Sequence, residues 1–86
     1  MTVSTFIESL RRGRYTSIGS YPKFWATADG GVLSYEACMQ NVWQIARAIR
    51  DRDSAEWRVV NCDVNWEDSN LICDHTGDRI ASAYAG

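Results

Sequence analysis

No two of the three cysteines, Cys38, Cys62 and Cys73, stand as a C-x-x-C pair. That removes the strongest sequence sign of a structural zinc site, which draws thiolates in pairs from tight turns. An odd count reads instead as buried thiols of a reducing compartment. No apolar run approaches the roughly 20 residues of a membrane-spanning helix. The opening residues, Met1-Thr2-Val3-Ser4-Thr5, carry neither a basic n-region nor a long apolar stretch, so no signal peptide is expected and the chain reads as cytoplasmic. No internal repeat or low-complexity tract is visible. No glycine-rich elbow or oxyanion device accompanies the nucleophile-type residues. The lone histidine, His75, lies only two positions from Cys73. Composition without geometry does not make a catalytic site, and the expectation is a protein that is not an enzyme.

What is present fits one small domain spanning residues 1–86. A hydrophobic fraction of 45% suits a packed core and not a disordered chain. Four tryptophans exceed the needs of so small a core, so at least one is expected at a binding surface. The net charge of −2 is unevenly placed. Residues 1–50 hold six basic and three acidic side chains, a net of +3; residues 51–86 hold three basic and eight acidic, a net of −5. An acidic half suits either a solvated face or a surface that meets a basic partner.

Periodicity gives the elements. Val3, Phe6, Ile7 and Leu10 recur at helical spacing, with Thr2 as cap and Gly13 as terminator. Tyr21 to Thr27 is aromatic and β-prone, and Pro22 near its start reads as an edge strand. Asp29-Gly30-Gly31 is a turn, and Val32-Leu33 a brief return strand. Ser34 caps a helix of about four turns ending near Arg50, whose stripe is Cys38, Met39, Val42, Ile45, Ala46 and Ile49. From Trp57 to Trp66 the chain alternates, placing Val60, Cys62, Val64 and Trp66 on one face. Two further short strands are expected at 71–73 and 79–84. The fold class is α+β: a small antiparallel sheet packed against one long helix, with a short N-terminal helix. Val42, Ile45, Ile49, Val60, Cys62, Val64 and Leu71 are the expected core.

The chemistry centres on Cys73-Asp74-His75-Thr76-Gly77, one arm of a zinc knuckle with threonine in place of the second thiolate. Cys38, Cys73 and His75 with Cys62 or an aspartate contain the right ligand types at the wrong spacing, so no metal and no cofactor is expected. Arg11, Arg12, Arg14 and Lys23, interleaved with Tyr15, Tyr21, Phe24 and Trp25, form a candidate nucleic-acid face, although the acidic balance argues against direct binding. The acidic turns offer the other surface. Asp63, Trp66, Glu67, Asp68, Asp74, Asp78 and Tyr84 would present aromatic anchors ringed by negative charge to a protein partner.

Three stretches carry a resemblance: Tyr21-Pro22-x-Phe24-Trp25-Ala26-Thr27-Ala28-Asp29-Gly30-Gly31-Val32-Leu33-Ser34, then Ile45 to Asp51, then Trp57-Arg58-Val59-Val60 with 64–68 and 73–84. They resemble a group of small uncharacterised proteins of phages and bacterial mobile elements, some with a cysteine pair at each of two turns. This chain departs from that pattern at Ser34, ahead of Cys38, and at Thr76, where a partner of Cys73 would stand. By analogy of size and type, the resemblance implies an inhibitor of the anti-CRISPR sort. Such a protein acts in the host cytoplasm by blocking a host protein or ribonucleoprotein complex. The alternative is a small nucleic-acid-binding or degenerate zinc-binding accessory protein using the basic N-terminal face.

Overall fold

The computed structural model describes residues 1–84 and has the expected α+β class. Helix α1 runs Val3–Arg11; the Thr2 hydroxyl accepts from Thr5 N–H at 3.1 Å, and Gly13 at φ 84° turns the chain away. Strands β1 (Lys23–Thr27) and β2 (Val32–Leu33) follow, joined through the turn at Asp29, whose Oδ1 accepts from Gly31 N–H at 3.0 Å and from the Thr27 hydroxyl. The expected single long helix is two, α2 (Tyr35–Gln40) and α3 (Val42–Asp51). They part at Asn41, with backbone angles of −124° and 27°. Its side-chain amide donates to Ala37 O at 2.9 Å, a bond that competes with the helical ladder. Strand β3 is Val59–Val64.

The sheet has three antiparallel strands in the order β2-β1-β3. The strand expected at an edge, β1, is therefore central. Pro22 is tolerated because it lies just ahead of β1, where the ladder ends. Residues 71–73 and 79–84 do not become strands. They meet in a single bridge, Ile72 with Arg79, supported by Cys73 N–H to Asp78 O at 2.9 Å and Ile80 N–H to Leu71 O at 2.8 Å. Three residues before so tight a turn are too few to extend a ladder.

One cluster of side chains forms the core: Phe6 and Leu10 from α1, Trp25 and Leu33 from the sheet, Ala37, Cys38, Ile45 and Ile49 from α2 and α3, then Val59, Cys73 and Ile80. Ile45 and Ile49 are buried as expected, while Val42, Cys62 and Leu71 are half-buried at its margin and Val64 is half-buried without packing on it. Val60 is 44% exposed and Val59 takes the core position. The cause is a bulge: Ala26 pairs with Asn61 but Thr27 pairs with Val59, so Val60 is the extra residue. The alternation that held for Cys62 and Val64 slips at this point.

The register also fixes which main-chain groups face outward. Thr27 N–H donates to Gly31 O at 3.0 Å, so Trp25 and Thr27 bond to β2. Phe24 and Ala26 then bond to Asp63 and Asn61 of β3. Val32 on one edge, and Cys62 and Val64 on the other, direct their N–H and C=O away from the sheet.

Candidate protein-binding surface

Pro22 has no N–H. Asn65 stands opposite and donates its own N–H to Pro22 O at 2.9 Å. Nothing on Pro22 can return a bond to the Asn65 carbonyl, which accepts instead from Ala83 N–H at 2.8 Å; Tyr84 N–H then reaches Trp66 O at 2.9 Å. The C-terminal segment is thereby laid beside residues 65–66. The Asn65 side chain, 3% exposed, ties the same region from within. Its Nδ2 donates to Asp68 O at 2.9 Å, Ala81 O at 3.0 Å and Ile80 O at 3.4 Å, and its Oδ1 accepts from Asp68 N–H at 3.2 Å.

These bonds assemble three aromatic rings. Tyr21 and Trp66 lie 4.6 Å apart between centroids, Trp66 and Tyr84 stack at 5.8 Å with planes 18° apart, and Tyr21 and Tyr84 are 6.5 Å apart. Trp66 is 44% and Tyr84 66% exposed. Glu67 and Asp68, both exposed, follow Trp66 directly. The Tyr84 hydroxyl titrates above its ordinary value, first because of the neighbouring Tyr21, then through burial, with the Glu67 carboxylate adding to the effect. The result is an exposed Trp66–Tyr84 stack, with Tyr21 tilted against it and the Glu67 carboxylate near enough to act on Tyr84.

The other expected acidic residues point to separate tasks. Asp74 Oδ2 accepts from Val32 N–H at 3.0 Å while Asp74 N–H donates to Val32 O at 2.9 Å, sealing the outward side of β2. Asp78 N–H donates to the Thr76 hydroxyl at 3.2 Å, and its residue lines a cleft of about 160 Å³ shared with Arg14, Tyr35 and Arg79. Asp63 Oδ1 accepts from Val64 N–H at 2.7 Å. Of the expected residues only Trp66 and Tyr84 meet in a ring contact; the Glu67 carboxylate acts on Tyr84 through its charge, and the Asp68 carboxylate accepts from Asn70 N–H at 2.9 Å. Tyr21 joins the two rings, a residue whose sequence neighbours place it among the base-stacking aromatics of the basic face. The signal for its true neighbours was Pro22: a strand residue facing a proline must find another donor for its carbonyl.

The knuckle-like turn keeps its shape around one sulfur. Cys73 is fully buried; its Sγ accepts from Ser34 N–H at 3.3 Å and from Thr76, and Gly77, at φ 76°, returns its N–H to Cys73 O at 2.9 Å. Burial pushes the Cys73 thiol up, but the hydrogen bonds from Thr76 and Ser34 outweigh it and the thiol titrates below its ordinary value. Cys38, also fully buried, is pushed far up by burial first and then by its neighbours Cys73 and Cys62. Among the described residues no group of three or more His, Cys, Asp or Glu side chains is placed to hold a metal ion.

On the basic face the cations are largely engaged. Arg12 lies 3.5 Å from Glu8, and Arg14 lies 2.6 Å from Glu36 and over the Tyr35 ring. Lys23 Nζ donates to Ser9 O at 3.1 Å and stands over Trp25. Among the described residues no helix is long and apolar enough to cross a membrane. No protein-family model, curated protein or solved structure matches this chain.

Proposed function

We propose that this protein is a binding inhibitor, encoded by a phage or mobile element, that docks on a host nucleic-acid-handling defence complex and blocks it sterically in the manner of anti-CRISPR proteins. It acts in the host cytoplasm, without a cofactor or catalysis. The observation that carries the reading is the exposed, stacked Trp66–Tyr84 pair, with the half-buried Tyr21 tilted against both rings and the exposed Glu67 and Asp68 next in the chain. Aromatic rings give large contact area with little side-chain freedom to lose, and Trp and Tyr are enriched among the residues that dominate binding energy. A carboxylate border suits a Lys/Arg-rich groove and steers encounter with it. The alternative, a nucleic-acid or metal accessory role for the basic face, is weakened by the pairing of Arg12 and Arg14 with glutamates.

The test is phage plating on a host with an active interference system, with and without this protein, alongside binding kinetics on the isolated complex. Glu67→Lys with Asp68→Lys is expected to leave the melting temperature nearly unchanged. It slows association and flattens its salt dependence, because rim charges act on the on-rate. Trp66→Ala is expected to raise the off-rate. If the double lysine variant inhibits as well as wild type, and alanine at Arg11, Arg12 and Arg14 abolishes inhibition instead, the basic face is the working surface and the proposal fails.

A further inference from the structure

Strand β3 is the last strand on its side of the sheet. Cys62 and Val64 direct their main-chain groups outward, and among the described residues no main-chain bond from elsewhere reaches either of them. The Val64 N–H is met by a side chain instead, the carboxylate of its own neighbour Asp63. An unpaired edge of this kind is a template for another strand. Along it the residues read Val60-Asn61-Cys62-Asp63-Val64. About Cys62 that segment is nearly symmetric: the isosteric Asn61 and Asp63 flank the thiol, with the bulged Val60 at one end and Val64 at the other.

We propose that this edge pairs with the same edge of a second copy, antiparallel and centred on Cys62, joining two three-stranded sheets into one of six strands. In that register Cys62 exchanges main-chain bonds with the partner's Cys62, and the bulged Val60 lies at the position opposite the partner's Val64. Asn61 faces the partner's Asp63 in the closely spaced positions between hydrogen-bonded pairs. The asparagine amide donates to the carboxylate, twice over by symmetry. Val64 N–H passes to the facing Val60 carbonyl, which frees the Asp63 carboxylate for that amide. The contact is self-complementary, as a two-fold interface requires. A slip of one residue would turn the outward N–H and C=O groups out of match. A slip of two in one direction sets Asp63 against the partner's Asp63 and is opposed by repulsion. On the helix side, Met1, Ser4 and Glu8 face Asn61 and Cys62 across an open groove of about 670 Å³, which leaves room for the partner's side chains. None of the residues paired in this register belongs to the aromatic stack, so the proposal stands or falls independently of the inhibitor reading.

The test combines sedimentation over a concentration series with bis-maleimide cross-linking of the native protein. Cys38 and Cys73 are both 0% exposed, so the reagent reads the half-buried Cys62. Wild type is expected to show a monomer–dimer equilibrium and a cross-linked dimer. Cys62→Ser keeps the equilibrium and loses the cross-link. Asn61→Asp, at an exposed position, places a carboxylate opposite the partner's Asp63 twice and is expected to weaken the dimer about tenfold or more. Adding Asp63→Lys to that variant sets opposite charges face to face and restores association. Wild type that stays monomeric throughout, leaving the edge to a strand from another protein, overturns the proposal. So does Asn61→Asp associating as tightly as wild type, or a cross-link that survives Cys62→Ser.

Discussion

At the β2 edge of the sheet, Val32 exchanges hydrogen bonds in both directions with Asp74, and the turn from 73 to 77 lies over the strand. At the β3 edge, six residues run with their outward groups unmet by any other described segment. The two edges belong to one short sheet and share one core, yet one is closed and the other open. Closure comes from the segment that the sequence suggested as a metal arm. Its single cysteine is fixed by Ser34 N–H and Thr76, and this leaves the next residue, Asp74, in place to pair with β2. A turn shaped like a metal ligand arm thus serves as an edge cap. Among the described residues the open edge has no such cap; the bulge at Val60 and the Asp63 carboxylate folded onto Val64 N–H are what blunt it.

The strongest way to probe this contrast is to remove what both edges share. Ile45 is fully buried beneath the sheet. Ile45→Ala is expected to cost roughly 2–5 kcal/mol in denaturant unfolding. A loss below about 1 kcal/mol would mean that the helix stripe does not support the sheet. The edges themselves are compared by the same substitution on each side. Asp74→Ala removes a carboxylate that holds a main-chain N–H of another segment, and a loss of roughly 1–2 kcal/mol is expected. Asp63→Ala removes one that holds only its neighbour, and the change should stay within about 0.5 kcal/mol at concentrations where the chain is monomeric. Equal losses in chemical unfolding would erase the distinction between the two edges.

A smaller effect, read through pH, sits in the turn leading into β2. The Asp29 carboxylate accepts from the Thr27 hydroxyl and from Gly31 N–H, and these hold its pKa below its ordinary value of 3.8. The folded state therefore prefers the ionised form. Its stabilising contribution is complete above that ordinary value and is lost as pH falls through the lower folded value. Asp29→Asn should melt below wild type at neutral pH, with the gap closing as the solution is acidified below 3.8. A gap that stays constant with pH would show that the turn does not depend on this charge.

Much of this contrast was not legible in the sequence. Helix α1, its Thr2 cap and the Asp29-Gly30-Gly31 turn were readable because each is a local device with a local signature. The Ile45 and Ile49 stripe was readable for the same reason. The break at Asn41 was not, since asparagine inside a helical stripe gives no sign of which carbonyl its amide will take. The bulge at Val60 was hidden because alternation is blind to the register of the partner strand. The segments 71–73 and 79–84 have strand-like composition, and only their tertiary partners, Val32 and Asn65, decide that they become a cap and a brace. The ring contact of Trp66 with Tyr84 joins residues eighteen positions apart, and no local signature in the sequence pairs them. The spread of Asp63, Asp74 and Asp78 to other duties required the fold.

Asn65 has a consequence that reaches beyond packing. One buried amide holds the loop at Asp68 and the strand-like run at Ile80 and Ala81 in a fixed relation, and the aromatic rings ride on those segments. The loops that carry the proposed docking surface are therefore held in place within the folded chain. Their conformational entropy is lost when the chain folds and not when it binds, so recognition by this surface is preorganised and its complexes should form without a coupled folding step.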